Sequence, residues 1–179
     1  MCRAFTVVEL MNFLGLAAVL SALGMYALAR YARQGKTVEA TSSVASIAAA
    51  AAEYYNTSDA TQPSGAAPKS VHAMRHFPPS SHTPVPEDPL SVRGKRYQSN
   101  LAEWSASPWR ELRFSIVQPQ CYQYSFEADG AGAGATAMVK AEGDLDGDGV
   151  RSTYSLTVVP DASLTAQVAK TMTKKDVEE

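Results

Sequence analysis

The sequence predicts an α+β fold: a long N-terminal α-helix, half membrane-spanning and half amphipathic, packed on an antiparallel β-meander of about four strands. Three observations predict it. An apolar run opens the chain, a 3.6-residue period continues beyond it, and from Leu112 onward the period switches to two. At 179 residues the chain can bury one modest core, and a net charge of −2 supplies no global basic field to attract nucleic acid. The two cysteines, Cys2 and Cys121, are too few for a disulfide framework.

The first element is the apolar run. From Phe5 to Ala29 there are 25 residues, and Glu9 is the only charged one. At about 1.5 Å per residue, such a helix is long enough to cross a hydrocarbon core of about 30 Å. No small-x-small cleavage site follows the run and its charged leader is only MCR, so it is expected to be retained rather than removed as a secretory signal. Arg30, Arg33 and Lys36 close it. By the positive-inside rule alone, that basic flank belongs in the cytoplasm.

The helix is expected to continue through residues 30–57. Val38, Ala40, Val44, Ile47, Ala51, Tyr54 and Tyr55 recur at three- and four-residue spacing, and the run AAAAA at 48–52 adds the strongest helix former. Gly15, Gly24 and Gly35 weaken it, each by about 1 kcal/mol relative to alanine. Residues 58–111 then change character. Seven of the ten prolines lie between 58 and 95, which predicts a long loop laid over the rest of the domain.

Residues 112–160 are expected to form the sheet. RELRFSIVQ, CYQYSFEAD, ATAMVKAEG and RSTYSLTVV each alternate, with Leu112, Phe114, Ile116, Tyr122, Tyr124, Phe126, Ala137, Val139, Ala141, Tyr154, Leu156 and Val158 on the buried side. The connections QPQ, GAGAG and DLDGDG are turn-formers, so the strands are expected to run antiparallel. Residues 161–179 read as a charged C-terminal tail, with its end TMTKKDVEE expected to fray.

The string FTVVELM after MCRA resembles the processing and assembly motif of type IV prepilins, and ARYARQGKTVEATSSVASIAAAAAEYYN is similar to the lower half of pilin helices. The motif likeness covers residues 1–57, and the expected architecture is pilin-like throughout. The resemblance implies that residues 1–4 are a leader. Prepilin peptidase would cut between Ala4 and Phe5, the new amine of Phe5 would be methylated, and Glu9 would stand five residues into the mature chain. It further implies a structural subunit (major pilin, minor pilin or pseudopilin) of a bacterial type IV pilus or type II secretion filament. Such a subunit is a single-pass protein of the inner membrane before assembly, then part of a periplasmic or extracellular filament. The implied partners are the lipid bilayer, the peptidase, an inner-membrane assembly platform and other pilin subunits. Two residues depart from the usual pattern: Ala4 stands where a glycine is customary, and GMYALARY lacks the proline common after the spanning half.

Glu9 needs an account of its own, because a carboxylate in a spanning helix costs about 2.5–3.5 kcal/mol on insertion scales. No Lys or Arg lies one turn away. In a packed filament, the Phe5 ammonium of a neighbouring subunit would supply the missing charge. The alternative is that Glu9 reaches headgroup water and complements the helix dipole.

GDLDGDGV, residues 143–150, is the second candidate site. Asp144, Asp146, Asp148 and Gly149 fit the start of a D-x-D-x-D-G calcium loop, in which hard carboxylate oxygens converge on the ion. Ser155 stands where a helix-loop-helix site places its glutamate, so the set would be completed by the Val150 carbonyl, Ser152 or water. Some pilin-like subunits of type II secretion systems hold calcium in a head-domain loop, which the resemblance extends to these residues. The competing reading is an Asp/Gly turn whose carboxylates are simply solvated.

The remaining signals are weaker. His72, His76 and His82 all lie in the proline-rich segment without acidic or cysteine neighbours. GAGAG has no helix after it and so does not cradle phosphate. VRGKRY, residues 92–97, reads as a solvated basic face, Trp104 and Trp109 as packing, and Cys121 as a free, partly buried thiol. No Ser/His/Asp or paired-carboxylate constellation emerges, so the expected role is structural and not enzymatic. The rival reading is a single-pass membrane-anchored periplasmic calcium-binding module that never polymerises.

Overall fold

Helix α1 runs from Val7 to Thr57 in the computed structural model, which describes residues 6–58 and 75–177. Gly15, Gly24 and Gly35 do not interrupt it. The chain divides into two compact units, Met1–Gly35 and Lys36–Glu179. In the first, Val7–Leu28 is long and apolar enough to cross a membrane, and its side chains are almost all exposed. In the second, the helix carries a buried stripe of Ala40, Val44, Ile47, Ala48, Ala51 and Tyr55. Val38, expected in that stripe, faces outward.

The sheet is antiparallel and open, with five strands: β1 (Gln123–Asp129), β2 (Thr136–Gly143), β3 (Ser152–Pro160), β4 (Ala166–Val168) and β5 (Thr173–Lys175). The first three form a meander, and β4 and β5 both pair with β3. Register places Tyr124 opposite Ala141 and Ala141 opposite Tyr154, so a small residue on the central strand separates two large ones. Phe126, Val139 and Leu156 form the next row. These side chains share one core with the α1 stripe. Burying each large apolar side chain contributes about 1.5–3 kcal/mol.

Two segments differ from expectation. RELRFSIVQ is not a strand: Leu112 N–H donates to Pro108 O at 2.9 Å and Phe114 N–H to Trp109 O at 3.0 Å, so the backbone bonds back onto its own turns. Its alternation arises because Leu112 and Phe114 pack inward beside an aromatic cluster, where Trp104 meets Trp109 at 5.0 Å and Phe114 at 5.4 Å. The tail is not frayed over its described length, because β4 and β5 close the free edge of β3.

The described part of the proline-rich segment, from residue 75 onward, does lie over the domain. Ser81 N–H donates to Phe126 O at 2.8 Å, and Val85 and Tyr124 exchange both backbone bonds at 2.9 and 2.8 Å. Residues that cannot form an inner strand thus cover the open edge of β1, where unpaired backbone would otherwise invite another chain. Phe77 and Val85 anchor the cover in the core.

Candidate functional site

The start of α1 is built as a capping box. Thr6 N–H donates to Glu9 Oε2 at 2.9 Å and Thr6 Oγ1 to the same oxygen at 2.8 Å, while Glu9 N–H donates back to Thr6 Oγ1 at 3.3 Å. This is the T-x-x-E pattern, in which cap and third helical residue satisfy each other's orphan donors. The spacing was present in the sequence but hidden behind the question of charge. The box fixes the carboxylate at the helix start and gives it two donors within its own chain. Ala4 and Phe5, the expected cleavage and methylation residues, lie outside the described residues. From Val7 onward the apolar side chains Leu10, Phe13, Leu16, Leu20, Leu23 and Leu28 are all more than half exposed among the described residues.

The acidic loop follows β2. One carboxylate oxygen from each of Asp144, Asp146 and Asp148 lies within 4.8 Å of the others. Ligands about 2.3–2.6 Å from a shared calcium ion can stand that far apart, so these residues could hold a metal ion. Local backbone turns place them. Gly147 and Gly149 N–H donate to the two oxygens of Asp144 at 2.7 and 3.0 Å, Asp148 N–H to Asp146 Oδ1 at 3.3 Å, and Val150 N–H to Asp148 Oδ1 at 2.7 Å. Val150 is exposed at the loop's end. Ser152 is fully buried in β3, and its hydroxyl donates to Gly143 O at 3.0 Å, so that hydroxyl is spent on the sheet.

Sequence reasoning missed the loop's cationic partner. Arg93 Nε lies 3.3 Å from Asp144 Oδ2 and donates to Gly147 O at 3.0 Å. Gly94 N–H donates to Asp144 O at 2.7 Å. The Gly94 φ of +61° is a conformation that suits glycine at this turn. VRGKRY, read as a solvated face, is therefore a clamp on the acidic loop. Lys36 adds a third tie, donating to Leu145 O at 3.3 Å. The donor set suits a hard cation, while Arg93 already balances part of the charge at Asp144.

A polar seam lies beside the loop. Glu39 Oε1 accepts the Cys121 N–H at 2.8 Å, and partial burial raises the Glu39 pKa above its ordinary value despite the nearby Arg96 and Lys36. Cys121 is a free, buried thiol whose pKa is raised by burial and then by Glu39. Burial likewise pushes the Tyr122 and Tyr124 phenols well above their usual range. Gly143 is required here, because a Cβ would stand 2.7 Å from the Tyr122 ring.

Of the other candidates, His76 packs edge-on against Tyr54 at 6.1 Å, His72 lies outside the described residues, and Trp104 and Trp109 are buried. A shallow cleft of about 480 Å³ on the outer side of the sheet is lined by Ser80, Glu127, Asp129, Thr136, Met138 and Thr157 among others. No protein-family model, curated protein or solved structure matches the chain.

Proposed function

We propose that this chain is a pilin-like structural subunit, inserted in the bacterial inner membrane by Val7–Leu28 and then packed into a type IV pilus or type II secretion filament through the same helix. The observation that carries this reading is an apolar helical face exposed on nearly every side, headed by a fixed carboxylate, within the FTVVELM motif. A bilayer covers such a face before assembly, and neighbouring copies of it cover it afterwards. The α+β layout, with a long N-terminal helix and an antiparallel sheet, supports the reading. Prepilin peptidase frees the Phe5 amine, which pairs with Glu9 of the next subunit, and the assembly platform drives the transfer. The role is structural rather than catalytic. The acidic loop takes calcium through Asp144, Asp146, Asp148 and the Val150 carbonyl, since an all-oxygen set of flexible geometry suits that ion.

Glu9→Ala tests assembly directly. It should leave membrane insertion intact, because it removes a costly charge, and should impair incorporation into filaments. Full incorporation beside wild-type subunits would contradict the reading. One observation favours the rival, a membrane-anchored module that does not polymerise: Thr6 already satisfies Glu9 without a partner. The same experiment separates them, because the rival leaves no filament from which the variant could be excluded.

A further inference from the structure

The contact between α1 and the sheet changes character along the helix. From Val44 to Tyr55 it is apolar, with Val44, Ile47, Ala48, Ala51 and Tyr55 fully buried. That stretch is locked at its end: Tyr55 Oη donates to Gly132 O at 2.8 Å, and Asn56 Oδ1 accepts the Ala166 N–H at 2.8 Å. From Lys36 to Ser43, only Ala40 is fully buried. There the helix meets the sheet through Lys36 on Leu145 O, through Glu39 on the Cys121 N–H, and through Tyr122 and Tyr124, whose hydroxyls face Thr37 and Ser43. The hydroxyls of Tyr122, Tyr124 and Tyr154 are buried without a completed hydrogen bond among the described residues.

We propose that residues 36–43 are a releasable segment of α1, parting from the sheet as a local unit while Val44–Thr57 stays docked. Opening there returns buried hydroxyls to water and, on the helix side, frees only Ala40 from burial while uncovering parts of the Tyr122 and Tyr124 rings. Opening the next turns would instead expose the whole stripe of Val44, Ile47, Ala48, Ala51 and Tyr55. The ties at Lys36 and Glu39 are hydrogen bonds between a charged side chain and a backbone group, and on opening water replaces them at both ends. The inference rests on residues 36–179 and does not depend on the filament reading.

Cys121 supplies the probe, being 2% exposed and bonded through its N–H to Glu39 on this segment. In the full chain in detergent, Cys2→Ser leaves Cys121 as the only thiol, and Trp104 and Trp109, the only tryptophans, report unfolding of the core. Thiol labelling across a urea series should proceed through an opening far more frequent than core unfolding, with weak urea dependence. Tyr122→Phe with Tyr124→Phe should slow labelling by about tenfold or more, because the closed state no longer holds unpaired hydroxyls. Glu39→Ala should speed it. Labelling that tracks the tryptophan transition in rate and urea dependence would overturn the proposal, and so would a rate that the paired Phe substitutions leave unchanged or raise.

Discussion

Glu9 has two roles that single substitutions can separate. As the third helical residue of a capping box it accepts from Thr6, and as a carboxylate it carries a charge that a neighbouring amine could pair. Glutamine fills the same box position without the charge. If the charge matters, Glu9→Gln should be excluded from filaments as fully as Glu9→Ala. If only the cap matters, Glu9→Gln should assemble and Thr6→Ala should fail, with a loss of about 0.5–2 kcal/mol in helix stability. Counting subunits of each variant in mixed filaments decides between them. Glu39 carries the opposite kind of cost. Its folded pKa lies above the ordinary 4.5, so the native state holds more protons than the unfolded chain through that window. The contribution of Glu39 to stability should therefore fall as pH rises through it. Glu39→Gln keeps an oxygen for the Cys121 N–H, and should gain stability relative to wild type at neutral pH and lose that advantage below pH 4.5. A wild-type-to-variant difference that is flat with pH would show that Glu39 is not desolvated.

At the scale of elements, the acidic loop gives the clearest test. Calcium binding would stabilise the head by RT ln(1 + [L]/Kd), about 2.7 kcal/mol at a hundredfold excess over Kd. The melting temperature should rise with calcium, fall back with chelator and respond less to magnesium, and Asp146→Ala should abolish the response. Indifference to millimolar calcium would leave an Asp/Gly loop closed by Arg93 as its whole role. The loop's aspartates were legible in the sequence because they sit at alternate positions within one turn. Arg93 was not, because it lies 54 residues from Gly147 and meets it only through the fold. The same contrast holds for the strands. Tyr124 and Phe126 on β1, with Tyr122 just before it, alternate with polar residues and were readable, as were Ala137, Val139 and Ala141 on β2. In β5 all three residues are exposed, so no apolar period marks it. Leu112, Phe114 and Ile116 carried the period of a strand, yet their backbone turns on itself, because side-chain burial alone does not specify a ladder.

The molecule combines a helix start capped by its own carboxylate, an apolar helix whose described side chains are exposed, and a second unit with its own core. A chain lacking residues 1–32 should be a soluble monomer, because the amphipathic half of α1 already has its stripe covered by the sheet. Aggregation, or a need for detergent, would mean that the second unit is not self-sufficient. The central claim is polymerisation through α1. Its most direct test is to shear cells or open the periplasm, isolate filaments, and determine the N-terminus of this chain by mass spectrometry in filament and membrane fractions. The expected result is a filament-borne chain beginning at N-methylated Phe5; a chain found only in membranes, with Met1 intact, would contradict it.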